Sequence, residues 1–178
     1  MDKQILAATQ RWIKSIVLGL QLCPFAEQVV KDESLRYHIT QAATDTALLT
    51  ALNDELNYLD QNPSVATTLL IHPYVLTDFY IYNQFLDLVD LLLEQLDKTG
   101  VYQVASFHPD YQYAGTQPAD IENYRNKSPY PMLHILREAG LDQAINTFPD
   151  VEEIPPTNIK RLQALGLNKM QSLLKDCG

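Results

Sequence analysis

Two short runs, LLIHP and ASFHP, each carry a β-type apolar stretch straight into a His-Pro step, at residues 72–73 and 108–109. Proline fixes φ and has no amide donor, so each step ends a strand. Between them, residues 78–98 place Tyr82, Phe85, Leu86, Val89, Leu92, Leu93 and Leu96 at spacings of three and four. That is the apolar stripe of a helix, and Gly100 is its stop. A strand, a helix and a second strand of the same kind predict an α/β fold with crossover connections. They also predict that strands two and three of the chain, residues 65–73 and 101–109, are parallel neighbours.

The remaining segments build around this unit. Ile5, Trp12, Ile13, Ile16, Val17 and Leu20 recur at helical spacing and predict a first helix over residues 2–20. Pro24 suits the first position of a second helix, ending near Lys31. LRYHITQA (35–42) alternates, with Leu35, Tyr37 and Ile39 on one face and Arg36, His38 and Thr40 on the other. It predicts strand one, at a sheet edge, with its second face wet. Thr44, Asp45 or Thr46 can cap the helix that follows, which runs to about Leu59.

Beyond His108, a loop of about 20 residues leads to Pro129 and Pro131; loops of that length are often functional. PMLHILREAG reads as a short helix stopped by Gly140. Pro149, Pro155 and Pro156 surround a second loop, and two helices joined at Leu165, Gly166 and Leu167 close the chain. The expectation is a single domain over residues 1–178. It has a small sheet of three strands, or four, with extra N- and C-terminal helices.

Composition narrows the class. Apolar residues make up 46% of the 178, enough to bury a core. The formal net charge of −9 argues against a nucleic-acid surface. Two cysteines make no disulfide framework. The N-terminus lacks the marks of a signal peptide, and no apolar run approaches the ~18 residues of a membrane span. A cytoplasmic protein without a membrane partner is expected.

Chemistry concentrates in three places. His72 and His108 stand at strand C-termini, where ligands gather in open α/β sheets. If the two strands are adjacent, about 4.8 Å apart, both imidazoles can reach one ligand. The plainer reading is that each is satisfied by a nearby carbonyl. Cys23, in LCPFAEQ, falls at the cap of the second helix, where the helix field would lower its thiol pKa. It can equally be a small buried residue. Cys177, one residue from the end, is expected to fray. Arg125, Lys127 and Ser128 precede the helix expected from Pro131, and basic groups beside a helix N-terminus make an anion site. Tyr111, Tyr113 and Tyr130 would line the pocket. Cys23, His72 and His108 are all suitable ligands for a transition metal. His134 reads as a core-edge residue, and His38 belongs to the wet face. No Walker loop, GxSxG elbow, HExxH or dinucleotide fingerprint is present.

LCPFA, FHPDYQYAG and NKSPYPMLHILRE together resemble the bacterial domain-of-unknown-function family 1415, over nearly the whole chain. The family commonly has Asn-Arg-Ser in the third motif. Lys127 keeps the charge but not the guanidinium fork. The resemblance implies a single-domain cytosolic bacterial protein and groups the three motifs; it implies no reaction. The leading expectation is a small enzyme acting on an anionic small molecule. His72 and His108 would be its acid–base or metal-binding groups and Cys23 its nucleophile or third ligand. The alternatives are a non-catalytic module that binds a metal, haem or metabolite, and a scaffold whose motif loops only brace the fold.

Overall fold

In the computed structural model, residues 1–147 and 151–178 are described; Pro149 lies outside them. Helix α1 (Asp2–Trp12) continues as π-helical turns over Ile13–Leu18. There follow α2 (Ala26–Lys31), β1 (Leu35–Ile39), α3 (Asp45–Gln61), β2 (Thr67–Ile71), α4 (Phe79–Gln95) and β3 (Tyr102–Phe107). A 3-10 turn at Ile121–Arg125 interrupts the long loop. Then come β4 (Met132–Arg137), α5 (Glu138–Thr147), a 3-10 turn (Val151–Glu153), α6 (Ile154–Leu165) and α7 (Leu167–Lys175). The two long helices start where expected: Thr44 accepts the Ala47 N–H and Asp78 the Ile81 N–H through their side chains. Pro155 and Pro156 occupy the first turn of α6, where their missing N–H groups have no intrahelical partner anyway.

The sheet has four strands in the order β1-β2-β4-β3. β1 and β2 are parallel, joined through α3, while β4 runs antiparallel to both β2 and β3. Two expectations are corrected here. Strands two and three, β2 and β3, point the same way but are not neighbours, because β4 lies between them. PMLHILREAG is not a helix from Met132; it is that central strand, and helix begins only at Glu138. Met132, Leu133, Ile135 and Leu136 fit the spacing of a helix stripe and equally a strand covered on both faces. Only long-range pairing separates the two.

Both faces of the sheet are covered. On one, α3 and α4 bury Leu48, Leu52, Leu56, Tyr82, Phe85 and Val89 against Leu70, Leu133 and Ile135. On the other, α1, its π-helical extension, α6 and α7 bury Trp12, Ile16, Leu162 and Met170 against Leu69, Ile71 and Met132. Cys177, expected to fray, is 2% exposed; its Sγ–H donates to the Leu173 carbonyl, and Arg11 donates twice to its own carbonyl. Arg137, at the far end of β4, donates to the carbonyls of Leu59, Asn62 and Val65 and to the Tyr102 hydroxyl. It thereby binds the C-terminus of α3, where carbonyls lack helical partners.

The second face of β1 is only partly wet: the Arg36 and His38 side chains remain 31% and 32% exposed. Arg36 and His38 turn onto Glu55 of α3, which is 2% exposed. Arg36 grips both carboxylate oxygens, at 2.9 and 3.0 Å, and its guanidinium lies 4.0 Å over the Tyr58 ring. His38 Nδ1–H donates to the same carboxylate. Burial pushes the Glu55 carboxyl up, but the hydrogen bonds and charge of His38 and Arg36 outweigh it and hold it at about 2. A depressed folded pKa contributes stability above the ordinary carboxylate range, and that contribution is lost as pH falls from 4.5 towards about 2. Glu55→Gln should cost roughly 2–3 kcal/mol at neutral pH, read from urea denaturation, and should flatten stability in that acid window. An unchanged midpoint would mean that the carboxylate is not what holds the edge strand.

Candidate functional site

The two His-Pro steps come out level. Ile71 and Phe107 both pair with Met132, so His72 and His108 stand one residue beyond, on either side of the start of β4. They are two strand spacings apart, roughly 10 Å between backbones, rather than one. The gap is filled by Tyr82 of α4. Its ring lies 5.7 Å from that of His72 and 5.1 Å from that of His108, centroid to centroid. Its hydroxyl donates to the Met132 carbonyl at 2.9 Å and accepts the Phe107 N–H at 3.2 Å. It bridges the strands where β3 and β4 part.

Both histidines are 0% exposed and both bond the loop that leaves β2. His108 Nδ1 accepts the Asp110 N–H at 3.0 Å, which leaves the proton on Nε2, and Nε2–H donates to the Leu76 carbonyl at 3.1 Å. His72 Nδ1–H donates to the Val75 carbonyl at 3.0 Å, and its Nε2 is buried without a partner. Leu76 has φ +56°, an unfavourable conformation for a side chain with a Cβ. Two adjacent carbonyls of a strained loop are thus each held by one imidazole. Burial pushes both histidines below their ordinary pKa, His72 to about 4, and keeps them neutral.

Cys23 is elsewhere. The histidines pack on the α3/α4 face of the sheet, whereas Cys23 lines a cleft of about 810 Å³ between the π-helical end of the first helix and α6. Asn158 and Arg161 of α6 hold the turn before it, bonding the Leu22 and Gln21 carbonyls at 2.7 and 2.6 Å. Its thiol pKa was expected to be low and is instead raised. α2 begins only at Ala26, and burial outweighs the pull of the Phe25 and Ala26 amides. Among the described residues no three His, Cys, Asp or Glu side chains are placed to share a metal ion, so Cys23, His72 and His108 do not form one ligand set.

The long loop is folded onto itself at the same sheet edge. Asn123, 0% exposed, accepts the Tyr113 N–H and the Thr116 hydroxyl and donates to the Gln117 carbonyl. Asn126 donates to the Ser106 carbonyl and accepts the Tyr113 hydroxyl at 2.6 Å. Trp12 Nε1–H donates to the Lys127 carbonyl. Phe79, Tyr111 and Tyr113 form an aromatic row, with ring separations of 5.2 and 5.0 Å, that joins the loop to α4. Neither asparagine, nor Tyr82, was singled out from sequence. Asn123 and Asn126 carry a weak signal, two turn-forming side chains three apart in a loop. Tyr82 sits in an apolar stripe and reads as plain core.

The remaining candidates divide. Arg125 lies half-buried with its guanidinium 4.4 Å over the Tyr113 ring and its Nε–H on the Glu122 carbonyl. Its Nη atoms make no hydrogen bond or ion pair among the described residues. Lys127 lies 4.8 Å over the Tyr124 ring and donates to the Pro118 carbonyl at 3.2 Å. Burial pushes its ammonium below the ordinary value, with the Asp110 carboxylate acting the other way. Ser128 is 0% exposed and donates inward to the Tyr130 carbonyl at 2.7 Å. Tyr130 is partly buried and packs against the core on the α1 face. Because β4 and not a helix follows, no helix N-terminus adds to these cations.

His134 stands on β4 with its Nε2–H on the Thr67 hydroxyl, which itself donates to the Ile135 carbonyl. No helix is long and apolar enough, among the described residues, to cross a membrane. Neither the curated proteins nor the solved structures contain a match to this chain. A family model described as "Protein of unknown function (DUF1415)" matches residues 4–172 of the 178, and the chain belongs to that family.

Proposed function

We propose that this protein is a non-catalytic binding module for an anionic small molecule, a carboxylate or a phosphate ester, held at Arg125. The observation that carries the reading is the state of the Arg125 guanidinium. It is oriented by Tyr113 and by one bond through Nε, and its Nη edge pairs with no carboxylate among the described residues. A planar fork held in that way is preorganised for two parallel hydrogen bonds to an oxyanion. Tyr111 and Tyr113 supply the adjoining aromatic wall. Lys127 adds local positive charge while its own donor braces the loop. His72 and His108 act as braces in this reading, because their nitrogens serve backbone groups or are sealed from solvent, and Cys23 takes no part.

Calorimetric titration with sulfate, phosphate and a dicarboxylate tests the anion role. The wild type should bind at least one of them. Arg125→Lys keeps the charge and loses the fork, and should weaken that binding about 10- to 100-fold, the equivalent of losing roughly 1.5–3 kcal/mol of charged hydrogen bonds. Equal affinity in the two proteins rules the site out.

The brace reading makes a separate pH prediction. A histidine whose folded pKa is lowered contributes stability that is complete above its ordinary value and lost as pH falls. For His72 the window runs from 6.5 down to about 4. Stability of the wild type should fall across that window. His72→Phe, which keeps a ring against Tyr82, should show a shallower fall. Parallel curves for the two proteins would show that His72 is not buried in its neutral form.

A further inference from the structure

From Tyr74 to Asp97 the chain has no lysine or arginine and five acidic residues. Most of this stretch is α4. Tyr82, Phe85, Val89 and Leu93 form its buried stripe. A second apolar row lies beside it in solvent: Tyr80, Ile81, Leu88 and Leu91 are 71%, 51%, 42% and 46% exposed. At 3.6 residues per turn these four cover a strip about 100° wide and about 15 Å long. They are four of the eight exposed large apolar side chains among the described residues, gathered on one helix. Scattered surface leucines need no explanation; four apolar side chains gathered on one helix face, with Gln84 among them and charge along one edge, mark an interaction surface.

The rim is of one sign. Asp87, Asp90 and Glu94 follow the side of the strip away from the core, and with Leu91, Asp97 and Thr99 they line an open depression. Of the acidic side chains among the described residues only Glu27, Glu55 and Asp60 form ion pairs, and what sets α4 apart is four unpaired carboxylates, Asp87, Asp90, Glu94 and Asp97, along one edge of an apolar strip. An apolar strip edged by unpaired carboxylates is the complement of a helix with a leucine-type face and basic flanks.

We infer that α4 docks a basic amphipathic helix of a partner protein along Tyr80, Ile81, Leu88 and Leu91. The same carboxylates repel an anionic membrane or nucleic acid. They also disfavour a second copy of this chain, because each copy carries a net −9 and an antiparallel two-fold contact would set acidic rim against acidic rim.

The probe is a labelled synthetic helix with leucines at i, i+3, i+4 and i+7 and lysines elsewhere, titrated by fluorescence anisotropy. A scrambled peptide of the same composition, with no apolar face, is the control. The amphipathic peptide should bind, and more weakly as salt rises. The double variant Leu88→Ser with Leu91→Ser should weaken binding about tenfold or more, as should Asp87→Asn with Asp90→Asn and Glu94→Gln. These side chains are exposed, and circular dichroism and a melting curve establish that each variant is folded. No binding, equal binding of the scrambled peptide, or equal binding by the variants overturns the proposal. So does concentration-dependent self-association in sedimentation that the leucine variant abolishes, which would assign the strip to a second copy.

Discussion

The position of β4 between β2 and β3 governs everything at the candidate site. A central strand must satisfy backbone groups on both sides, and any unpaired group there would be buried. The ladder to β3 runs the length of β4, Met132 to Arg137, and the ladder to β2 runs from Met132 to Leu136. Each end is also tied by a side chain. Arg137 gathers carbonyls from the C-terminal end of α3 and the turn before β2 with the Tyr102 hydroxyl, and Tyr82 spans the opening between Met132 and Phe107. With β4 in place, the His-Pro steps fall level but apart, and an aromatic ring occupies the space where a shared ligand would have been.

That geometry explains why histidine stands at both positions. The loop from Pro73 to Asp78 turns through a left-handed Leu76, a conformation costing roughly 1–2 kcal/mol, and two successive carbonyls need donors away from water. A neutral imidazole supplies a donor on a flat ring that packs against Tyr82. For His108 it also supplies an acceptor to the Asp110 amide. Few side chains combine those properties without carrying charge into the core. The echo of His-Pro is thus a repeated solution to ending a strand beneath a buried loop.

Charge is distributed unevenly over this acidic chain. Glu55 is buried but fully engaged by Arg36 and His38, fastening the edge strand to α3. Among the described residues Arg125, at the sheet edge, has no carboxylate partner, and four carboxylates on and just after α4 have no cation. Paired charges serve the fold, whereas the unpaired ones on the surface are where an external partner can gain from electrostatic complementarity.

The sequence alone determined what depends on near neighbours in the chain. Apolar periodicity placed α3 and α4. Thr44 and Asp78 marked their starts, and proline marked the strand ends at His72 and His108. The motifs also determined the family. Tertiary structure decided what depends on pairing across distance. PMLHILRE satisfies a helical and a buried-strand pattern alike, so only the open positions beside β2 and β3 made it a strand. That single choice removed the helix N-terminus from the anion site and put β4 between the histidines. The alternation of β1 showed two faces but not what covers them; α3 brought Glu55 to the face read as wet. Cys23 could be placed near a helix start from sequence. Its side of the sheet, and the burial that raises its thiol pKa, were fixed by where α6 lies across the cleft, holding the Gln21 and Leu22 carbonyls, because which face a helix covers is set by the whole core and not by its own residues.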